Sequence, residues 1–207
     1  MWTTQPRGQE KSAPGDTDRR QPGTPKLVDL SGERQETFDL YGIGDATTDR
    51  NGRACLLARR LSEAGVRFVE KMTVKAWDHD AKIATELPPR CASVDKPVVG
   101  LIKDLQRRGL LDETLVVCSG EFGRSHWSQD TSGTSPCESN GREHQQESAC
   151  AWMADGGVNA GFTYGATDDF GFLPIEGKAH LHDLPATMLH LPGLDHEELT
   201  YHHAGRD

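Results

Sequence analysis

Two carboxylates flank an imidazole in Trp77-Asp78-His79-Asp80, and a third carboxylate sits between glycines in Gly120-Glu121-Phe122-Gly123-Arg124. Acids crowded together repel one another, and a cation between them removes that cost while gaining its ligands. A mixture of carboxylate and imidazole donors favours zinc, manganese or iron over calcium. Asp78, His79, Asp80 and Glu121 are therefore candidate ligands of a divalent metal, with His144 of Gly141-Arg142-Glu143-His144-Gln145 as a further imidazole. Taken singly, each acid reads equally well as a loop residue or a helix cap. Arg124 follows the second cluster, and its planar fork suits either an ion pair with Glu121 or Asp78 or a grip on a substrate oxyanion. Farther along, His180 and His182 alternate as on a strand, so both side chains point the same way; His182 joins the candidate ligands, while Asp183 caps the helix that follows. His190, His196, His202 and His203 read as ordinary surface or packing residues.

For the two acidic clusters to meet, the elements before them must run side by side. Ala54, Leu57, Ala58 and Leu61 recur at helical spacing after Arg53, and Gly65 ends that helix. Val66 to Val74 reads as a strand. A second helix starts with Asp95 as N-cap and Pro97 in its first turn, faces the core through Val98, Leu101, Ile102 and Leu105, and closes at Gly109. Thr114 to Ser119 is short, apolar and β-branched, as expected of a strand covered on both faces. Strand, helix, strand in this order predicts a parallel pair joined by a right-handed crossover, hence an α/β class. In open parallel sheets ligands gather beyond the carboxyl ends of the strands, where both clusters fall. Arg124 to Glu147 reads as polar and glycine-rich, Ala149 to Ala154 as a further strand, and Asp183 to Leu191 as a last helix ended by Pro192 and Gly193.

Composition narrows the partners. Lysine and arginine number 23 against 32 acids, a formal charge of −9, and a surface of that sign repels nucleic-acid backbones. No apolar run approaches a membrane span, no signal-peptide core is visible, and the compartment is left open. Residues 1–27 are crowded with proline, glycine and charge and read as a disordered tail before a domain at 28–207. Cys55, Cys91, Cys118, Cys137 and Cys150 lack paired spacing and read as free thiols rather than zinc ligands or disulfides. No G-x-S-x-G elbow, P-loop or dinucleotide fingerprint is present, nor a cysteine in the C-x-P-x-R setting of sulfatases.

VDKPVVGLIKDLQRRGLLDETLVVCSGEFGR, residues 94–124, resembles the helix, turn and strand that precede a metal-binding segment in sulfatases and other members of the alkaline phosphatase superfamily, and HLHDLPATMLHLPGLD is similar to a later helix of theirs. ACLLARRLSEAGVRFVE, WDHD, GEFGRS, GREHQ, AWMADGGV, YGATDDFG and LTYHHAGRD, in that order, look like the sulfatase-like family known as domain of unknown function 1501. The resemblance implies a doubly wound α/β/α sandwich with a mainly parallel sheet, present here as the C-terminal portion without the family's N-terminal half. It also implies a divalent-metal site and hydrolysis of small anionic phosphate or sulfate esters, with Asp78, Glu121 and His144 at the family's acid and histidine positions. Members of the family are often exported. Asp80 stands where the family usually has histidine, with His79 next to it, and Asp155 replaces an expected glycine. Pro185 and Pro192 replace non-proline residues of the last helix. The alternative is a non-catalytic metal-binding or interaction fragment that keeps the scaffold without the nucleophile.

Overall fold

The computed structural model describes residues 24–73, 77–127 and 140–200. Its helical part consists of α1 (Thr24–Val28), α2 (Gln35–Tyr41), α3 (Asp49–Glu63) and α4 (Ile83–Arg107), and the chain then forms β1 (Val116–Ser119), β2 (Gly123–Arg124), β3 (His144–Gln145), β4 (Ala151–Ala154), β5 (Ala166–Thr167), β6 (Pro174–Glu176) and α5 (Asp183–His190). Of the expected tail, residues 1–23 lie outside the described residues, whereas 24–27 belong to α1, held where Arg60 donates to the Lys26 carbonyl at 2.7 Å.

α2, α3 and α4 enclose the core with β1: Tyr41, Ile43, Cys55, Leu56, Leu101, Leu105, Leu111 and Val116 form one buried cluster. Close packing between α4 and α2 requires Gly100, because a Cβ there would sit 2.7 Å from the Leu40 carbonyl oxygen. The helix at 53–65 is present, but its fully buried stripe is Cys55, Leu56, Arg59 and Ser62, with Ala58 beside it, while Leu57 and Leu61 are only half-buried. Burial of an arginine is what rotates the stripe. Arg59 reaches Glu33 at 2.7 Å and Glu63 at 2.6 Å, and its Nε lies 3.0 Å from Asp104. The last contact is Coulombic, since that N–H is not aligned on any acceptor. Tyr41 donates its hydroxyl to Asp104 at 3.1 Å, and burial, followed by the Asp104 charge, raises its pKa well above the ordinary phenol value.

The second helix begins twelve residues before the Asp95 expected from sequence, at Ile83, and carries Pro88, Pro89 and Pro97 inside it. An interior proline leaves the carbonyl four residues back without its helical partner. For Pro97 that carbonyl belongs to Ser93, and Asn51 of α3 supplies the missing donor at 2.9 Å. Packing of α3 against α4 thus satisfies what the local sequence cannot.

Val66–Thr73 forms no strand, and only Val69 in that stretch is buried; Val74 lies outside the described residues. β1 pairs instead with β4, antiparallel, in the register Val116↔Ala154 to Ser119↔Ala151. Leu115, Val116 and Val117 are buried in succession, as expected of a strand covered on both faces. The described residues carry three two-stranded antiparallel sheets, β1-β4, β2-β3 and β5-β6, and the expected parallel pair is not among them. Chain direction inside the polar stretch 124–147 was illegible without its partners, and it is there that β2 and β3 form. α5 matches its expected span to within one residue, although His182 rather than Asp183 occupies its N-cap position.

Cys55, Cys91, Cys118 and Cys150 are free thiols, and Cys137 lies outside the described residues. Burial pushes the Cys55 thiol up to about 11. The turn between β5 and β6 is organised by Asp168, whose carboxylate accepts from the backbone N–H groups of Phe170, Phe172 and Leu173 at 3.1, 2.8 and 3.2 Å. These bonds, that of Phe172 foremost, hold its pKa below the ordinary 3.8. A carboxylate lowered by folding contributes fully at neutral pH and loses its contribution as the pH falls through the lowered value. The amide resonances of Phe170, Phe172 and Leu173 are therefore expected to shift together in an acid titration followed by NMR, with a midpoint under 3.8. A midpoint at or above that value would contradict the assignment.

Candidate metal centre

Two chain crossings build the site. β2 pairs antiparallel with β3, setting Arg124 opposite His144 and Gly123 opposite Gln145. On the other side of β3, residues 79–83 run antiparallel to 140–142: Ala81 bridges Asn140, Arg142 N–H donates to the His79 carbonyl at 2.9 Å, and Ile83 N–H to the Asn140 carbonyl at 3.2 Å. This approach depends on Gly141, where a Cβ would fall on the backbone carbonyls of Asp80 and His79.

Asp78, Asp80 and His144 each offer a ligand atom, and these atoms all lie within 4.8 Å of one another. Glu121 is outside that mutual set but shares its imidazole, with Oε1 3.3 Å from His144 Nε2, while Asp78 Oδ1 is 3.8 Å from the same nitrogen. Donors bound about 2.1 Å from a single ion stand roughly 3 to 3.5 Å apart, so the spacing around Nε2 needs little change to enclose a cation. Phe122 meets the His144 ring edge-on at 5.7 Å. Asp78 and Glu121, from the two separate clusters, thus each approach the same His144 nitrogen.

The other expected site residues fare differently. His79 is buried at 3 % exposure, edge-on to Trp77 at 6.5 Å, and neither ring nitrogen has a hydrogen-bond partner. It stands outside the Asp78, Asp80 and His144 group, so the neighbouring imidazole that sequence offered as a substitute ligand is turned inward. His182 lies just before α5, where its N–H donates to His180 Nδ1 at 3.3 Å and the two rings stand 4.8 Å apart; that pair is not part of the acidic group. His202 and His203 lie outside the described residues.

Arg124 donates through Nη2 to the Trp77 carbonyl at 2.6 Å and through Nη1 to the Arg142 carbonyl at 3.1 Å, with Asp78 at 3.8 Å. Its fork thus ties the segment carrying Asp78 to the segment carrying His144. The oxyanion contact foreseen for it competes with two backbone carbonyls. Sequence reading missed Asn140 and Gly141, whose contribution lies in the backbone; only the glycine offered a signal, and that signal does not name its partner.

A centre of acids and one histidine at the meeting of three extended segments has the donor chemistry of a divalent-metal site. The sequence matches, over residues 7–207, the family described as a protein of unknown function, DUF1501, and the chain belongs to that family. No curated protein and no solved structure matches it. Among the described residues no helix is long and apolar enough to cross a membrane.

Proposed function

We propose that the chain is the metal-binding portion of a sulfatase-like hydrolase of phosphate or sulfate esters, related to the alkaline phosphatase superfamily and built on part of its doubly wound α/β/α scaffold. The observation that carries this reading is the convergence of Asp78, Asp80 and His144, from segments far apart in sequence, within 4.8 Å. The donor set fits zinc or manganese: two hard carboxylates and one imidazole, with room for substrate or water beside them. When bound, such an ion polarises the ester oxygen and lowers the pKa of a coordinated water. Asp78, Asp80 and His144 would hold it, and Glu121 would complete the set or take the proton from the attacking water. Hydrolysis then adds water oxygen to phosphorus or sulfur, breaks the bond to the ester oxygen, and releases that oxygen as an alcohol with the proton. Arg124 is a positioning residue, acting on Asp78 and His144 through the backbone that it ties together.

A second reading, a metal-binding module that hydrolyses nothing, is favoured by the openness of the centre. The Asp78 and Glu121 side chains are 54 % and 70 % exposed, whereas fixed charges act most strongly where water is excluded. A cleft of about 730 Å³ lies elsewhere, against α2 and α3, with Phe38, Ile43, Ala54 and Leu57 in its walls. Assays of p-nitrophenyl phosphate and p-nitrophenyl sulfate on the zinc- and manganese-loaded protein separate the two readings. Turnover that chelation abolishes supports the hydrolase; metal uptake without turnover supports the module. Neither uptake nor turnover would end both.

Gly141→Ala gives a further check. The methyl group would force residues 140–142 away from 79–80 and pull Asp80 and His144 apart, so metal affinity is expected to drop about 10–100-fold, the usual effect of disturbing a ligand's support. Unchanged affinity by calorimetry would contradict the geometry.

A further inference from the structure

Asparagine precedes glycine twice in the chain, at Asn51-Gly52 and at Asn140-Gly141. In such a pair the glycine main-chain nitrogen can attack the asparagine side-chain carbonyl carbon, because no Cβ hinders the approach. Ring closure needs a glycine N–H free of other bonds and an asparagine side chain able to swing over it. The two pairs differ in both respects. In α3, Gly52 N–H donates to the Thr48 carbonyl at 2.7 Å, while the Asn51 amide is tied to the Ser93 carbonyl at 2.9 Å and to Lys71 Nζ at 2.8 Å.

At the second pair the bonds run differently. Arg142 N–H and the Asn140 carbonyl both face residues 79–83, in the bonds to His79 at 2.9 Å and from Ile83 at 3.2 Å. Backbone groups alternate in direction along an antiparallel ladder, so the Gly141 N–H between them points away from it. Among the described residues that N–H donates to nothing, and the half-buried Asn140 side chain has no hydrogen-bond partner. A lone bridge to Ala81 holds the Asn140 backbone. Opening it is a local event, whereas cyclisation at Asn51 requires a packed helix to come apart.

We propose that Asn140-Gly141 is a self-modification site, whose conversion to isoaspartate takes apart the crossing that joins Asp80 to His144. Gly141 nitrogen bonds to Asn140 Cγ and gives up its proton; the bond from Cγ to the amide nitrogen breaks, and ammonia leaves with that proton. Water then opens the resulting succinimide at either carbonyl. One product is aspartate. The other is isoaspartate, in which the main chain runs through Cβ and Cγ and so gains a methylene. The carbonyl that accepts from Ile83 N–H becomes a carboxylate outside the main chain, and the register of 140–142 on 79–83 is lost. Water is the one co-reactant, and the step does not depend on ester hydrolysis.

The metal-free protein, held at mildly alkaline pH and then digested, tests this by mass spectrometry with chromatographic separation of isoaspartyl from aspartyl peptides. Product at Asn140 is expected to accumulate at least about tenfold faster than at Asn51, because the bridge opens more readily than α3. Asn140→Gln, which would have to close a larger ring, should suppress it. In the isolated isoaspartyl chain, amide hydrogen exchange at Ile83 and Arg142 should quicken by about tenfold or more, and manganese affinity should fall about 10–100-fold, as for loss of a ligand's support. Product at Asn140 no faster than at Asn51, or unchanged exchange at Ile83 and Arg142 in the modified chain, overturns the proposal. Quickened exchange in a chain that never bound manganese upholds it and rejects the metal centre instead.

Discussion

Arg59→Met is expected to lower the stability of the domain by about 3 kcal/mol, near the lower end of the range for removing one partner of a buried ion pair. The side chain is 3 % exposed and sits among the carboxylates of Glu33, Glu63 and Asp104. Methionine retains much of the packing volume, so the loss isolates the charge. Arg60 still reaches Glu33 at 2.9 Å, and Arg108 still reaches Glu63 and Asp104 at 3.0 and 2.9 Å. These remaining partners are why the expected loss is not larger. Urea denaturation measures it through the shift in midpoint at constant slope. A loss below about 1 kcal/mol, the level of a surface pair, would show that the network contributes little to the helical layer.

The largest effects at the metal centre are expected from Asp78→Asn and His144→Ala. Support residues around a metal typically change affinity about 10–100-fold, and a directly ligating group should exceed that, so each substitution is expected to weaken zinc or manganese binding by more than about 100-fold. Glu121→Gln should fall in the supporting range, because its carboxylate meets His144 but stands outside the mutual set. His182→Ala should have no effect, since that imidazole pairs with His180. The order of these variants matters more than any single value. If His182→Ala weakened binding as much as His144→Ala, the ligand set would have to be redrawn.

Part of the element order was legible: α3, the second half of α4, β1, β4 and α5 lie close to where the residues put them, although the buried stripe of α3 is not the one its apolar spacing marks, α5 buries none of its residues, and α1 and α2 were not foreseen. The failures have physical causes. Pro97 reads as a helix start, since nothing local shows that Asn51 will satisfy the Ser93 carbonyl. Arg59 was not singled out, and acids from as far away as Glu33 and Asp104 meet it where it is buried. Val66 to Val74 reads as a strand, but strand formation needs a partner, and β1 takes β4 instead.

At the candidate site, residue type identified Asp78, Asp80, Glu121 and His144, because crowded acids with a histidine suggest a cation from sequence alone. Their route together was misjudged. The expectation placed Asp78, Asp80 and Glu121 at the ends of neighbouring parallel strands, whereas residues 140–145 lie between the segment that follows Asp78 and the one that follows Glu121, antiparallel to both. His79 was offered as a ligand on its type, and only packing shows it turned inward against Trp77. Arg124 was offered to the substrate because its fork suits an oxyanion, a chemistry equally suited to the two carbonyls it holds.

Manganese titration of the purified chain, followed by electron paramagnetic resonance, tests the centre most directly. Asp78, Asp80 and His144 should take up one ion per chain with a saturable signal, displaceable by zinc and abolished in His144→Ala. A wild-type signal indistinguishable from that of free manganese, or uptake that persists undiminished in His144→Ala, would show that these residues do not form the site.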